Sequence, residues 1–312
     1  MSLLEIKDLT VGIKKTGEKI LKEISFSLHY GEILGILGES GSGKSLTALS
    51  ILRLLPPGLT YFDGEILFQG KNLLKLKEEE INQIRGKDIS IIFQDPLSTL
   101  NPVLTIGEQI EEVLFYHFGL KGEKAREFII RVFKDVGIPD PELRIKNYPH
   151  ELSGGLRQRA MIAMAIACSP KILIADEPTT ALDLTIQMQV LELLKTLNRE
   201  KTLSIIFITH DIGILRWFAT RILVFYKGQI LEAAPVESLF KRPLHPYTKL
   251  LFDSYPGKNS LSYLNFFDKA VSEEALCNFY GRCPIACKKS LENAPQLIEV
   301  YPSHFVRCFL YE

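Results

Sequence analysis

Short apolar runs alternate with segments of helical periodicity along most of the chain, which is the pattern of an α/β fold. Each apolar run is five or six residues long and ends in polar or glycine-rich sequence. We therefore predict buried strands at residues 32–37, 89–93, 172–176 and 204–209. Residues 221–232 contain two further β-rich runs on either side of Lys227-Gly228, and they predict a hairpin that closes the same core.

Apolar residues at helical spacing predict helices at residues 46–55, 106–118, 124–136 and 156–168. The first is stopped by Pro56-Pro57-Gly58, and the others make the segment between about 95 and 168 mostly helical. The most apolar long run, residues 160–168, is far too short to cross a bilayer, and charged residues interrupt the first ten positions. We therefore expect neither a membrane span nor a signal peptide.

The chain has 312 residues, with 37 Lys and Arg against 37 Asp and Glu. This length permits one principal domain with an inserted lobe and a smaller tail. The balanced charge gives no reason to expect a nucleic acid partner. We expect a soluble protein that meets a membrane only through other subunits.

The turn between the first predicted strand and helix has the pattern G-x-x-x-x-G-K-[ST], which is typical of phosphate binding. Its glycines let backbone N–H groups approach a β-phosphate, Lys44 reaches the β and γ oxygens, and the Ser45 hydroxyl holds Mg²⁺. Strand, turn and helix follow one another here as the pattern requires. The candidate nucleotide-binding residues of this turn are Gly38, Ser40, Gly41, Gly43, Lys44 and Ser45.

Polar residues at the ends of other predicted strands can complete a nucleotide site. Asp176 ends a buried strand, where it can hold Mg²⁺ close to Ser45, and Glu177 is then the candidate general base. A helix-start charge pair or a solvated turn is the simpler interpretation of these acids. Gln94 can reach metal or water, or act only as a loop donor. His210 can contact a γ-phosphate, or serve as a cap or surface residue.

A second glycine turn, residues 152–155, opens the predicted helix 156–168. Together with the motifs above, it occurs in the order and at roughly the spacing of the ATP-binding subunits of ABC transporters, which residues 1–235 resemble. In chain order, the motifs that carry the resemblance are the phosphate turn, Gln94, Leu152-Ser153-Gly154-Gly155, Asp176-Glu177, Ala181-Leu182-Asp183 and His210. The stretches that resemble the oligopeptide, dipeptide and nickel uptake branch are residues 93–102, 148–155 and 245–248.

The resemblance implies an α/β fold of the P-loop NTPase type. Residues 1–235 are expected to form an ABC ATPase core with a mixed sheet and an inserted helical subdomain at about 95–168, and residues 236–312 a small Cys-rich C-terminal extension. The entry to the helical subdomain, Leu97–Pro102, is where a coupling helix of a membrane subunit is expected to dock. A simple loop between lobes is the alternative.

The resemblance also implies a mechanism with ATP and Mg²⁺ as cofactors. Two subunits face each other head to tail, and each ATP is held between one phosphate turn and the partner's glycine turn. The glycine turn begins a helix, so its backbone N–H groups can bind a γ-phosphate. When that phosphate is lost, the two subunits separate. The catalytic candidates are Glu177, His210 and Gln94, the Mg²⁺ candidates are Ser45, Gln94 and Asp176, and the further nucleotide contacts are Ser153, Gly154, Gly155 and Asp183.

These features predict the ATP-hydrolysing subunit of an ABC importer, with an oligopeptide or dipeptide favoured and nickel or a metal chelate as the alternative substrate. The expected partners are a paralogous ATP-binding subunit or a second copy, two transmembrane permease subunits and, indirectly, an extracytoplasmic substrate-binding protein. The chain is then peripheral to the cytoplasmic face of the plasma membrane. A soluble ABC-type ATPase acting on DNA or ribosomes is the alternative of a different class, although the sequence lacks the coiled coil, second cassette or basic surface that it would need.

Four of the five cysteines lie within the last 36 residues, and Cys168 is expected to be a core thiol. The four, Cys277, Cys283, Cys287 and Cys308, resemble the cysteine-rich tail that holds a [4Fe–4S] cluster in some peptide-branch subunits. The third of them comes about three residues early, with Ser290 at the expected place. A cluster, a zinc site and free structural thiols therefore stay open as interpretations.

The position at which relatives usually offer adenine an aromatic ring reads Thr10-Val11-Gly12-Ile13 here. Base recognition is then expected to rest on apolar contacts from Ile13 or Val11, and we predict that the protein binds ATP with little preference over GTP. Parallel titrations with the two nucleotides test this expectation, and a strong preference for ATP would contradict it.

Overall fold

We describe the protein from a computed structural model, which covers residues 2–95, 99–180, 182–253 and 276–312. The described residues fall into two compact units, and each is treated by itself. The helical unit consists mainly of residues 72–207. The phosphate-loop unit consists mainly of residues 4–27, 33–71 and 208–312.

The strands are β1 (Ser2–Ile13), β2 (Lys19–His29), β3 (Ile33–Leu37), β4 (Leu59–Phe68), β5 (Lys71–Asn72), β6 (Ile89–Ile92), β7 (Ile172–Asp176), β8 (Ser204–Thr209), β9 (Arg221–Tyr226), β10 (Gln229–Pro235), β11 (Leu297–Tyr301) and β12 (His304–Arg307). The helices are α1 (Lys44–Ile51), α2 (Glu78–Asn82), α3 (Ile106–Phe118), α4 (Glu123–Asp135), α5 (Pro141–Arg144), α6 (Gly154–Ile166), α7 (Leu184–Lys201), α8 (Ile212–Phe218), α9 (Val236–Lys241), α10 (Pro246–Asp253) and α11 (Lys289–Glu292). Single 3₁₀ turns occur at Leu73–Lys75, Pro149–Glu151 and Tyr280–Arg282.

The phosphate-loop unit contains an antiparallel pairing of β1 with β4, in a sheet of order β2-β1-β4-β5. Its other strands have the order β11-β12-β10-β9-β3. There β3 is parallel to β9, whereas β9, β10, β12 and β11 are antiparallel to their neighbours, so the sheet is mixed. Every residue of β3 is buried, which explains why its sequence is a continuous apolar run rather than an alternating one.

The turn of the β9–β10 hairpin fixes the loop that follows β3. Gly228 has a φ of +76°, and a Cβ there would lie 1.7 Å from the carbonyl oxygen of Ile20, so only glycine fits. The N–H of Gly228 donates to the carbonyl of Ser42 (2.9 Å), and its own carbonyl accepts from the N–H of Lys22 (2.8 Å). The hairpin turn thereby joins the loop between β3 and α1 to strand β2.

In the helical unit, β8, β7 and β6 lie side by side in that order, and β6 is parallel to β7. The helices α3, α4 and α6 pack against one another. The apolar side chains that these helices bury include Ile110, Leu114, Ile129, Phe133 and Ile162. Burial of one face of each helix is what its sequence periodicity predicts.

Most of the predicted elements are confirmed. The strands β3, β6, β7 and β8 match the predicted ones to within one residue, β9 and β10 form the hairpin, and α3 has the predicted bounds. The helices α4 and α6 are displaced toward the N-terminus by one and two residues. The predicted end of α1 at residue 55 is wrong, because the helix stops at Ile51 and Arg53 adopts a left-handed φ of +53°. Cys168 is buried as expected, but it lies just beyond the end of α6.

A buried carboxylate attaches the C-terminal extension to the rest of the phosphate-loop unit. Glu232 on β10 is 0% exposed. It accepts the N–H groups of Leu244 (2.7 Å) and His245 (2.8 Å) and bonds to Nε2 of His304 on β12 (2.7 Å). A buried carboxylate is tolerated only when it is bonded in this way, so these contacts fix the position of the extension.

His245 is buried beside this carboxylate in its neutral form. Burial lowers the pKa of His245 to about 3, and its Nδ1 accepts the N–H of Tyr247 (3.0 Å). In an unfolded chain the same ring has a pKa of about 6.5. Between these values the unfolded chain binds a proton that the folded chain does not. The free energy of unfolding is therefore unaffected by this histidine above about pH 6.5. As the pH falls from there toward 3, His245 lowers the free energy of unfolding by up to about 1.4 kcal/mol per pH unit.

We predict that His245→Asn, which keeps a hydrogen-bond acceptor, removes this part of the pH dependence. Between about pH 7.5 and 5.5, the free energy of unfolding of the parent protein should fall by about 1.4 kcal/mol more than that of the variant. Urea unfolding at the two pH values measures the difference. His150→Asn, at an exposed histidine, is the matched control. Equal pH dependence in the parent and in His245→Asn would contradict a neutral buried ring.

Candidate functional site

The loop from Gly38 to Gly43 connects β3 to α1 and has the geometry of an anion cradle. At Gly38 a Cβ would lie 2.4 Å from the carbonyl oxygen of Phe225 and 2.7 Å from the Ser42 hydroxyl, so no side chain fits. Gly41 and Gly43 have left-handed φ values of +76° and +102°. The loop therefore approaches a ligand with backbone rather than with side chains, directly before the N-terminus of α1.

Lys44 is the first residue of α1, directly after this loop. Its side chain is buried, and Nζ donates to the carbonyl oxygens of Gly38 (2.9 Å) and Glu39 (2.8 Å). Ser45 is exposed in the first turn of α1. An anion that enters the loop thus meets the ammonium group and the N-terminal N–H groups of α1 together.

The ends of β6 and β7 bring Gln94 and Glu177 together. Because the two strands are parallel neighbours, the residues after their carboxyl ends emerge at the same edge. Nε2 of Gln94 donates to Oε2 of Glu177 (3.1 Å), and the Thr180 hydroxyl donates to the same oxygen (3.1 Å). Asp176 is the last residue of β7, directly before them. The contact from Thr180 was not predicted, and only its spacing, three residues after the acid, could have indicated it.

The second glycine turn begins α6, as predicted. Ser153 is the N-cap, and its hydroxyl accepts the N–H of Leu156 (3.4 Å). Gly154 is exposed, with nothing within 4 Å of the place where a Cβ would lie. A Cβ at Gly155 would lie 3.0 Å from Cγ2 of the Ile186 side chain. The turn therefore presents the N-terminus of α6 to solvent, where a phosphate group can reach it.

Asp183 and His210 have different structural roles. Asp183, in the helical unit, is the N-cap of α7 and accepts the N–H of Ile186 (3.0 Å). His210, in the phosphate-loop unit, is exposed directly after β8. The capping function there is performed by Asp211, whose carboxylate accepts the N–H groups of Gly213 and Ile214 at the start of α8. Asp211 is therefore the N-cap of α8, the exposed His210 agrees with the surface-residue interpretation, and its contact with a γ-phosphate stays a prediction.

Strand pairing supplies an aromatic ring that the sequence analysis missed. Val11 lies opposite Tyr61, and Ile13 lies opposite Leu59, so these four side chains share one face of the β1–β4 pair. The Tyr61 hydroxyl donates to the carbonyl of Ser50 on α1 (2.9 Å), which turns this face toward the helix that follows the phosphate loop. The ring comes from Tyr61, fifty positions after Val11, and no local pattern indicated that β1 and β4 pair.

The segment expected to receive a coupling helix is described only in part, because residues 96–98 lie outside the described residues. Leu100 is 2% exposed, whereas Val103 is 75% exposed. Leu100 is thus a core residue, and docking of a coupling helix at Leu97–Pro102 stays a prediction. Gln109 holds the loop in place by accepting the N–H of Asn101 and donating to the carbonyl of Leu104.

The four clustered cysteines line one cavity of about 130 Å³ in the extension, together with His245 and apolar side chains. All four thiols are free. Burial raises the pKa of Cys277, Cys283 and Cys308, the last to about 11, whereas a hydrogen bond with the Ser290 hydroxyl lowers the pKa of the exposed Cys287. These cysteines are soft ligands of the type that binds iron–sulfur clusters or zinc. Among the described residues, however, no three such side chains are placed to bind one metal ion, so the arrangement does not fit a cluster.

Comparison with known proteins adds two family matches. The family described as "ABC transporter" matches residues 21–180, and the family described as "Oligopeptide/dipeptide transporter, C-terminal region" matches residues 231–289. Across the described residues, no helix combines the length and the apolar character that a membrane crossing requires.

Full-length relatives agree with these matches. "Oligopeptide transport ATP-binding protein OppD" of Bacillus subtilis (strain 168) is 45% identical over 99% of this chain and 88% of its own length. "Oligopeptide transport ATP-binding protein AppD" of the same organism is 46% identical over 100% of this chain and 97% of its own. A solved structure, "Dimeric Structure of MJ0796, a Bacterial ABC Transporter Cassette", aligns with a TM-score of 0.66 at 31% identity, covering 75% of this chain and 98% of that chain.

Proposed function

From the premise that this chain belongs to the ABC transporter family, as one of its ATP-hydrolysing subunits, we propose that it drives an importer of oligopeptides or dipeptides. The observation that carries the proposal is the match of residues 231–289 to the oligopeptide/dipeptide C-terminal region, outside the segment that matches the ATP-binding family. Relatives named for oligopeptide transport over nearly the full chain support the same substrate class.

In this proposal ATP joins two ATP-binding subunits. The phosphate loop and Lys44 hold the β- and γ-phosphates, and the N-terminus of α6 in the partner, with Ser153, Gly154 and Gly155, closes over the γ-phosphate. Asp183 is assigned to the same nucleotide contact. Since the γ-phosphate favours the closed pair, its release after hydrolysis shifts the pair toward the open state. The solvent-facing turn at Gly154 supports this arrangement because a ligand can approach it without a clash.

Glu177 is assigned as the general base. Its carboxylate takes a proton from water as the water oxygen bonds to the γ-phosphorus and the bond to the bridging oxygen of ADP breaks, which leaves ADP and phosphate. Hydrogen bonds from Gln94 and Thr180 hold the carboxylate in one orientation. His210 is assigned to the γ-phosphate. Mg²⁺, when bound, would neutralise phosphate charge, and its proposed ligands are Ser45, Gln94 and Asp176.

Glu177→Gln keeps the side-chain shape but removes the proton acceptor, so we predict that ATP hydrolysis falls by at least about 100-fold while ATP still binds. The variant should then accumulate as an ATP-dependent dimer, which gel filtration with and without Mg-ATP detects. Lys44→Ala is the control that should fail to bind ATP and should not dimerise. Hydrolysis at the parental rate by Glu177→Gln would show that the base is another residue.

The proposal places the chain at the cytoplasmic face of the plasma membrane, bound to two transmembrane permease subunits and acting with a paralogous or identical ATP-binding subunit. An extracytoplasmic binding protein delivers the substrate. Because this chain does not contact the cargo, its partners decide whether peptide or a nickel chelate is carried.

A transport assay tests the substrate class. We predict that the chain, reconstituted in liposomes with its permease subunits and binding protein, takes up a labelled oligopeptide in an ATP-dependent manner. Uptake of a nickel chelate without peptide uptake would favour the nickel importer. If the chain were recovered from detergent-solubilised membranes only with ribosomes, the transporter proposal would fail.

The [4Fe–4S] and zinc interpretations of the four cysteines stay predictions, which the placement of the described thiols does not support. Anaerobic purification followed by iron, sulfide and zinc analysis separates them, since a cluster requires about four iron and four sulfide per chain and a zinc site about one zinc. A folded chain without metal would leave the thiols as structural groups lining the cavity.

A further inference from the structure

A residue of the phosphate loop is bound by the C-terminal extension. The carboxylate of Glu39, the residue after Gly38, accepts two hydrogen bonds from the guanidinium of Arg282. The distances are 2.8 Å from Nη1 to Oε2 and 3.0 Å from Nη2 to Oε1. This bidentate geometry fixes the orientation of the guanidinium and the carboxylate as well as the distance between them.

The backbone of Glu39 is fixed at the same time. Its N–H donates to the Tyr247 hydroxyl (3.1 Å), and its carbonyl oxygen accepts from Nζ of Lys44 (2.8 Å) and from the N–H of Ser42 (3.2 Å). Glu39 is therefore in direct contact with both Arg282 and the lysine that is assigned to the phosphates. A displacement of Glu39 would displace the hydrogen-bond partner of Lys44.

Arg282 is itself held by aromatic rings. Its guanidinium lies 5.6 Å from the ring centroid of Tyr226 and 6.0 Å from that of Tyr247. These two rings contact each other and the buried ring of Phe279, three residues before Arg282. The hydrogen bonds to Glu39 raise the pKa of Arg282 further above its usual range, so the group stays charged. The guanidinium is thus a fixed positive charge beside the loop.

The negative charge of Glu39 explains what its contact with Arg282 can do for nucleotide binding. A carboxylate in a loop that binds a polyphosphate repels its ligand, and the repulsion is strong where water is partly excluded. The guanidinium of Arg282 neutralises this charge and holds the carboxylate in one defined orientation. The side chain of Arg282 is 31% exposed and that of Glu39 is 43% exposed, so solvent screens the pair. The gain in ATP affinity from this neutralisation is therefore moderate rather than large.

We infer that Arg282 is a positioning residue for nucleotide binding, which acts through Glu39 by neutralising its carboxylate and fixing the loop carbonyl that holds Lys44. The inference rests on the nucleotide site proposed above and is independent of the transported substrate. It makes the extension part of the ATP site, since without Arg282 the loop carries an uncompensated negative charge.

The test compares ATP affinity in single and double variants of the full chain. Arg282→Ala should raise the dissociation constant for Mg-ATP by about fivefold to tenfold and raise KM similarly, with a much smaller effect on kcat. Arg282→Lys keeps the charge without the bidentate geometry and should raise the dissociation constant by about threefold. Adding Glu39→Gln to Arg282→Ala removes the repulsion and should restore affinity to within about twofold of Glu39→Gln alone.

Lys289→Ala is the matched control, because Lys289 lies in the same extension but pairs with Glu312. Unchanged ATP affinity in Arg282→Ala, or an equal loss in the double variant, would overturn the inference. If Arg282→Ala does not fold, Arg282→Lys decides, and parental affinity there would also overturn it. ATP binding by Lys44→Ala would instead show that the nucleotide site itself is misplaced, whatever Arg282 does.

Discussion

The structure depends on a loop whose backbone N–H groups, next to the Lys44 ammonium, must be open to an anion without obstruction by a side chain at Gly38. Gly38 satisfies this constraint by lying so close to the carbonyl of Phe225 that a methyl group would not fit. A loop of this kind has few contacts of its own, and its neighbours must fix it. The hairpin turn at Gly228 bonds to the carbonyl of Ser42, and the extension bonds to Glu39 through Arg282 and Tyr247. The extension is in this way bonded directly to Glu39 of the phosphate loop.

The same principle applies to the carboxylate of Glu177, which we propose as the general base. Glu177 follows a buried parallel strand, and Gln94 follows the neighbouring one, so the sheet places them at one edge before any side-chain interaction is formed. Hydrogen bonds from Gln94 and Thr180 then select one orientation. In the phosphate loop and in the Gln94–Glu177 pair alike, secondary structure brings the groups together, and short polar contacts set their direction.

Local patterns were sufficient to predict much of this from the sequence. The buried strands are continuous apolar runs, and the phosphate turn, the helix start at Ser153 and the positions of Gln94 and Glu177 after strands were predicted, whereas the hydrogen bond between Gln94 and Glu177 was not. The other contacts depend on partners far away in the chain. Arg282 and Glu39 are separated by 243 positions, and Tyr61 faces Val11 only because β1 and β4 pair. Strand β11 is short and mostly exposed or half-buried, and β12 buries the polar residues His304 and Arg307, so neither shows the apolar periodicity that would have indicated a strand.

The central claim is that one ATP is held by two subunits. The most direct measurement is a structure of the assembly formed by the Glu177→Gln variant with Mg-ATP. Our account predicts that the same ATP contacts Lys44 of one protomer and the partner's Ser153 turn. An ATP bound at Lys44 in a closed assembly, with the partner's Ser153 turn away from every nucleotide, would contradict it.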